Sequence, residues 1–172
     1  MLAGQFTAPR TVQLLNHPEP QLPAEDLQPG QIVFQPELTC LCGSDLPFFD
    51  GDFEGHTIAY PQPIGMSLHE MVGTIVATNG RKWQVGTRVL AVPTGQMGLM
   101  ERFVMPEDQA IALQPGLSDE LCLLAQPLGT VLHALKKLPI DRAGLMLMLS
   151  KKWRRNLAKI VMGSIYQKFC MK

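Results

Sequence analysis

A mainly β fold that hands over to helices near residue 118 is what this 172-residue sequence predicts. Three observations carry that expectation. Short β-type runs alternate with Pro and Gly punctuation through the first two thirds, and the texture turns helical after Ala112-Leu113-Gln114-Pro115-Gly116. A composition of 46% hydrophobic and 17% charged residues is globular, and the length allows one sizeable core but leaves a second full domain cramped.

Taken in order, the first strand is Gln31-Ile32-Val33-Phe34-Gln35-Pro36-Glu37-Leu38, entered from the turn signal Pro29-Gly30. Met71-Val72-Gly73-Thr74-Ile75-Val76-Ala77 is the second, closed by the turn dipeptide Asn79-Gly80. Val85 to Val92 and Met100 to Met105 supply two more, and strands at this spacing suggest a barrel or a sandwich. Ser118 followed by Asp119 and Glu120 is a helix start, and Pro127 opens a second helical stretch that runs to Lys136-Lys137. Residues 118–138 therefore form a helical edge to a domain spanning 1–138, with 139–172 as a separate tail.

Net charge is zero, but it is unevenly placed. Residues 1–142 carry eight Lys/Arg against fifteen Asp/Glu, a net of −7, while residues 143–172 carry seven Lys/Arg and no acid. An acidic body with a short basic segment argues against a nucleic-acid partner. Cysteines at 40, 42, 122 and 170 form neither a dense disulfide framework nor a CxxC pair, and a reducing, cytoplasmic setting fits them. No apolar run reaches the eighteen or so residues of a membrane span, so no stable membrane insertion is expected.

Chemistry concentrates in Cys42-Gly43-Ser44-Asp45 and, about two dozen residues on, His69-Glu70 with Gly73. A soft thiolate, an imidazole and a carboxylate are the ligand chemistry of a catalytic zinc, and three protein ligands leave a fourth position open. Each residue alone has a plainer reading: Cys42 as a small buried hydrophobe, His69 as a satisfied histidine at a strand end. Cys40, close to Cys42 on the same strand, and Cys122, on an apolar helix, read as core packing. His56, in the loop between the ligand segments, and His133, in the second helix, read as structural or exposed, and His17 in a proline-rich stretch suggests nothing.

The motifs Cys-Gly-Ser-Asp, then Pro63-Ile64-Gly65 ahead of His69-Glu70-Met71-Val72-Gly73-Thr74-Ile75-Val76, then Val85-Gly86-Thr87-Arg88-Val89, then Gln126-Pro127-Leu128-Gly129 through Leu135 occur in this order. In order and spacing they resemble the medium-chain zinc alcohol dehydrogenases, and most of all the polyol and threonine dehydrogenase branch. The resemblance covers roughly residues 10–138. It implies a GroES-like β-barrel that carries one catalytic zinc, followed in a full-length relative by a Rossmann domain for NAD or NADP. By this likeness Cys42, His69 and Glu70 hold the metal, with Glu70 either a ligand or close behind one; Asp45 holds the second nitrogen of His69, and Ser44 passes the proton of a small-molecule alcohol towards solvent. The zinc would polarise the substrate hydroxyl for hydride transfer.

Two positions depart from the family pattern. Relatives usually have Gly before the His-Glu pair, where this chain has Leu68, so the local turn is expected to differ. Where relatives place a Cys or Glu ligand this chain has Gln126, a poor zinc donor, which is expected to hold a metal-bound water instead. The cysteine-rich lobe of a second, structural zinc is missing, since Pro93 to Arg102 has no Cys. Two other function classes stay in view: a non-enzymatic zinc-binding barrel, and a zinc-free reductase of the quinone reductase kind, whose members lack the Cys and His-Glu pair.

Beyond Leu138-Pro139 a Rossmann strand and its Gly-x-Gly-x-x-Gly turn should follow, yet Gly144 and Gly163 are isolated. The expectation is a chain truncated before its Rossmann domain, with NAD(P) bound only by a full-length form. Residues 139–172 read as frameshifted or disordered sequence. The alternative is a basic amphipathic helix with Leu149, Trp153, Leu157, Ile160 and Val161 on one face, suited to an anionic membrane surface or a calmodulin-type groove. Without a partner for the apolar face of residues 121–135, self-association is expected.

Overall fold

A computed structural model describes residues 1–21, 27–53, 55–137 and 170–171. The readings of the basic tail, from Leu149 to Val161 above all, lie outside the described residues.

The chain begins with an antiparallel hairpin, β1 (Leu2–Ala8) and β2 (Thr11–Asn16), that the sequence pattern did not announce. The hairpin alternates weakly because β2 is exposed along almost its whole length, so its residues carry no buried/exposed period. The main sheet is built from β3 (Gln31–Cys40), β6 (Glu70–Thr78), β7 (Arg88–Ala91) and β9 (Ala110–Ala112), with β8 (Phe103–Pro106) on the other edge of β3. The two-residue strand β10 (Cys170–Met171) pairs with the far end of that same edge. Between β3 and β6 come a short helix α1 (Leu46–Asp50) and a two-residue ribbon, β4 (Asp52–Phe53) with β5 (His56–Thr57). Helices α2 (Asp119–Leu123) and α3 (Ala125–Lys137) follow β9 along the chain. Every pairing between strands is antiparallel, and the described residues contain no Rossmann unit of parallel strands and crossover helices.

The strands foreseen at Gln31, Met71, Val85 and Met100 are present, the last two shorter and shifted. Val85 and Gly86 belong to the turn before β7, since Gly86 takes φ +86° and its N–H bonds Ile75 O at 2.8 Å. The helix break falls at Leu124, and α3 runs straight through Pro127, which a helix tolerates in its first turn, where its N–H would be unsatisfied.

Sheet curvature has a visible cause in β3. Its pairing with β6 slips between Val33 and Phe34 and again between Pro36 and Leu38, and such bulges bend a strand. Gly73 sits opposite Pro36, and a Cβ there would lie 2.1 Å from the Gln35 carbonyl oxygen, so only glycine lets the strands approach this closely. Inside the curl Ile32, Phe34, Met71, Ile75, Val89, Ala91, Phe103 and Met105 form the principal core. On the outside, α2 lays Cys122 and Leu123 on Leu38, Cys40, Val72 and Leu90. Cys40 and Cys122 are thus core packing, as their sequence context implied. α2 is started by Ser118, whose hydroxyl accepts from Leu121 N. Along α2 and α3 the side chains of Leu121, Leu124, Leu128 and Leu132 are exposed.

Candidate metal centre

Register brings the candidate ligands together. Cys40, the last residue of β3, stands opposite Glu70, the first of β6. That pairing brings the chain leaving β3, which carries Cys42, alongside His69 at the start of β6. Cys42 has left the strand and starts the turn 43–45, so it does not share a strand with Cys40 as the sequence suggested. One ligand atom each from Cys42, His69 and Glu70 lie within 4.8 Å of one another.

Behind them is Asp45, with no solvent exposure. Its Oδ2 accepts from Cys42 N at 2.7 Å; its Oδ1 accepts from Ser67 Oγ at 2.7 Å and Leu68 N at 3.2 Å. His69 Nδ1 lies 3.3 Å from the same Oδ1 without the alignment of a hydrogen bond. Its Nε2 faces the other way, 3.3 Å from Ser44 Oγ. Nδ1 is thereby turned to the carboxylate and Nε2 is left to the open side, where Ser44 is exposed. Glu70 is 2% exposed, and Thr39 Oγ1 donates to its backbone carbonyl at 3.0 Å.

Electrostatics follow from this packing. Contact with the Asp45 carboxylate, and then with the Cys42 sulfur, outweighs burial and pushes the His69 pKa up to about 10. The His69 ring lowers the Cys42 thiol pKa against the opposing effect of burial. Burial by itself would raise the Asp45 carboxyl, but His69, Ser67 and the Cys42 N–H together hold it below its usual value.

These residues fit a zinc ion. Tetrahedral bonds of about 2.0–2.3 Å separate neighbouring ligands by roughly 3.3–3.8 Å, and the three donors, within 4.8 Å of one another, stand near that spacing. A thiolate, an imidazole with its far nitrogen towards a carboxylate, and a buried carboxylate are a donor set that zinc prefers. Gln126 lies on a different element, the first turn of α3, and is half-buried; its backbone carbonyl accepts from Thr130 Oγ1 at 3.2 Å. His56 and His133 are exposed and apart from the cluster, in β5 and α3. Sequence reading missed Ser67 and Thr39 and marked Leu68 only for its turn: their contacts to Asp45 and to the Glu70 carbonyl depend on chain segments 22 to 31 residues apart.

Residues 28–123, more than half of the chain, match the family described as the alcohol dehydrogenase GroES-like domain. The protein belongs to that family. Among solved structures it is similar to galactitol-1-phosphate dehydrogenase from Escherichia coli, at 20% identity with a TM-score of 0.62 over 78% of this chain and 44% of that one. It is also similar to 2R,3R-butanediol dehydrogenase from Bacillus subtilis, at 21% identity and a TM-score of 0.60 over 81% of this chain and 48% of that one. Quinone oxidoreductase from Thermus thermophilus aligns at 24% identity and a TM-score of 0.51, over 72% of this chain and 36% of that one. At these identities the likeness is one of fold. The chain spans less than half the length of each of these structures. A search of curated proteins found no match.

Proposed function

We propose that this chain supplies the metal and alcohol-binding part of a zinc-dependent, NAD(P)-linked dehydrogenase of the polyol or threonine 3-dehydrogenase kind. The observation that carries the reading is the meeting of Cys42, His69 and Glu70 around one point, with Asp45 buried behind the histidine. When bound, zinc supplies Lewis-acid polarisation of the substrate hydroxyl. Cys42 Sγ, His69 Nε2 and a Glu70 carboxylate oxygen hold it, and Asp45 keeps the His69 ring in the orientation that offers Nε2. Ser44, exposed and beside Nε2, is placed to take the hydroxyl proton and pass it to water. Gln126 positions a water at the open side. Residues 1–138 act as the unit that does this, and the nicotinamide partner is bound by a dinucleotide domain of the full-length form.

Support for an alcohol over a quinone substrate is the donor set itself, because a hydride donor activated through its hydroxyl needs a metal or base at that oxygen. A second reading, a barrel that binds zinc without turning over a nucleotide, rests on the same ligand cluster. Elemental analysis of protein purified without chelators should give about one zinc per chain, lost in a Cys42→Ala, His69→Ala double variant. A zinc-free wild type defeats both readings. NADH fluorescence titration should show no saturable binding by residues 1–172; saturable binding would overturn both the barrel-only reading and the assignment of the nicotinamide to a further domain.

A further inference from the structure

We infer that Ser67 is a positioning residue of the metal centre, an inference that rests on the metal reading proposed above. Asp45 and Ser67 both have no solvent exposure. One carboxylate joins the two segments that bear the ligands: Oδ2 holds the Cys42 segment through its N–H, and Oδ1 holds the 67–69 segment. With Oδ2 pinned by a single N–H, the plane of the carboxylate is set by whatever holds Oδ1. Of the contacts there, Ser67 Oγ at 2.7 Å is the shortest, against 3.2 Å for Leu68 N and 3.3 Å for His69 Nδ1.

The residue is itself anchored from behind through its backbone. Ser67 forms a β-bridge with Met97, and its carbonyl accepts from Gly98 N at 3.0 Å, so it is tied to the 97–98 segment and not to the ligand loop alone. Ser67 therefore transmits a fixed frame to Asp45, and Asp45 passes it to both Cys42 and His69. The His69 ring is the one member still lacking an aligned hydrogen bond at Nδ1. A small turn of that ring satisfies Nδ1 against Oδ1 only while Oδ1 stays where Ser67 holds it. Removing the hydroxyl frees the carboxylate to rotate, and the ligand nitrogen loses its aim.

Cobalt(II) titration of the metal-stripped full chain tests this, because its visible bands read coordination geometry as well as affinity. Ser67→Ala should bind cobalt and zinc about 10–100-fold more weakly than wild type, as loss of a partner behind a metal ligand commonly does, with altered cobalt bands. Ser67→Thr, which keeps the hydroxyl, should restore both. Should Ser67→Ala fail to fold, Ser67→Thr and Ser67→Val repeat the comparison at nearly equal shape, and the weaker binder should be the valine variant. Thermal melts of the metal-free variants register the packing contribution separately. Unchanged affinity and spectrum in Ser67→Ala, or equal binding by the Thr and Val variants, overturns the positioning role and leaves the metal centre standing. A wild type that takes up neither cobalt nor zinc overturns both.

Discussion

Leu68 sets two opposed contributions against each other. Its φ of +74° lies in the left-handed region, which costs a non-glycine residue about 1–2 kcal/mol. Glycine, usual before the His-Glu pair in relatives, would remove that strain. Yet the Leu68 side chain is buried in the principal core and lines an open apolar cavity of about 250 Å³ with Leu2, Leu14, Leu99 and Met100. Truncating a buried leucine costs roughly 2–5 kcal/mol, so packing outweighs strain. Leu68→Gly is expected to destabilise by about 1–3 kcal/mol in urea unfolding; a stabilised variant would mean that the side chain contributes little. Asp45 gives a second prediction. Its carboxyl titrates below the usual 3.8, so its stabilising effect is present above that pH and is lost as pH falls through the lower folded value. Asp45→Asn should be clearly less stable than wild type at neutral pH, and the gap should close as the solution is acidified below the usual 3.8. A gap independent of pH would show that the charge is not what matters.

Among the elements, α2 shows which kind of interaction docks a helix. Arg88 of β7 reaches Glu37 of β3 at 3.0 Å and Asp119 of α2 at 2.7 Å, an ion-pair network that looks like a clasp. Arg88 and Glu37 are exposed and Asp119 is partly so, and solvent-exposed pairs contribute only about 0–1 kcal/mol. Leu123, 1% exposed against Leu38, Val72 and Leu90, contributes several times that on truncation, about 2–5 kcal/mol. Leu123→Ala is thus expected to lower the urea midpoint far more than Arg88→Ala, and the reverse order would assign the docking to charge. The same contrast explains which elements could be read in advance. β3 and β6 carry short apolar runs, Ile32-Val33-Phe34 and Met71-Val72, that are buried on both faces, and such runs stand out in a sequence. β1 and β2 are held by backbone pairing and by partners far along the chain, such as Gly4 N to Leu99 O at 2.8 Å, and leave no local period to read.

For the molecule as a whole, the exposed stripe of Leu121, Leu124, Leu128 and Leu132 is the feature with the largest consequence. Leu128 and Leu132, four apart, lie along one side of α3, with Leu121 and Leu124 exposed just ahead of it, and exposed apolar side chains grouped in this way commonly mark a contact surface. We expect light scattering to show self-association of the chain, reduced by Leu128→Lys with Leu132→Lys, two changes on a surface the core does not use. A monomer at all concentrations would mean that the stripe is already covered. No helix among the described residues is long and apolar enough to cross a membrane.

By itself the sequence determined the class of the fold, the family and the identities of the candidate ligands, because periodicity, turn dipeptides and motif order are properties of neighbouring residues. Cys42, His69, Glu70 and Asp45 could be named from it. What holds them could not. Two slips in the β3–β6 register, the pairing of Cys40 with Glu70, and the Ser67 hydroxyl on a carboxylate 22 positions away are decided only when distant segments fold against each other. A hydrogen bond across such a distance leaves no mark on local composition. The left-handed turn at Leu68 was anticipated only as a departure from relatives, and the burial that keeps a leucine there is a fact of tertiary packing.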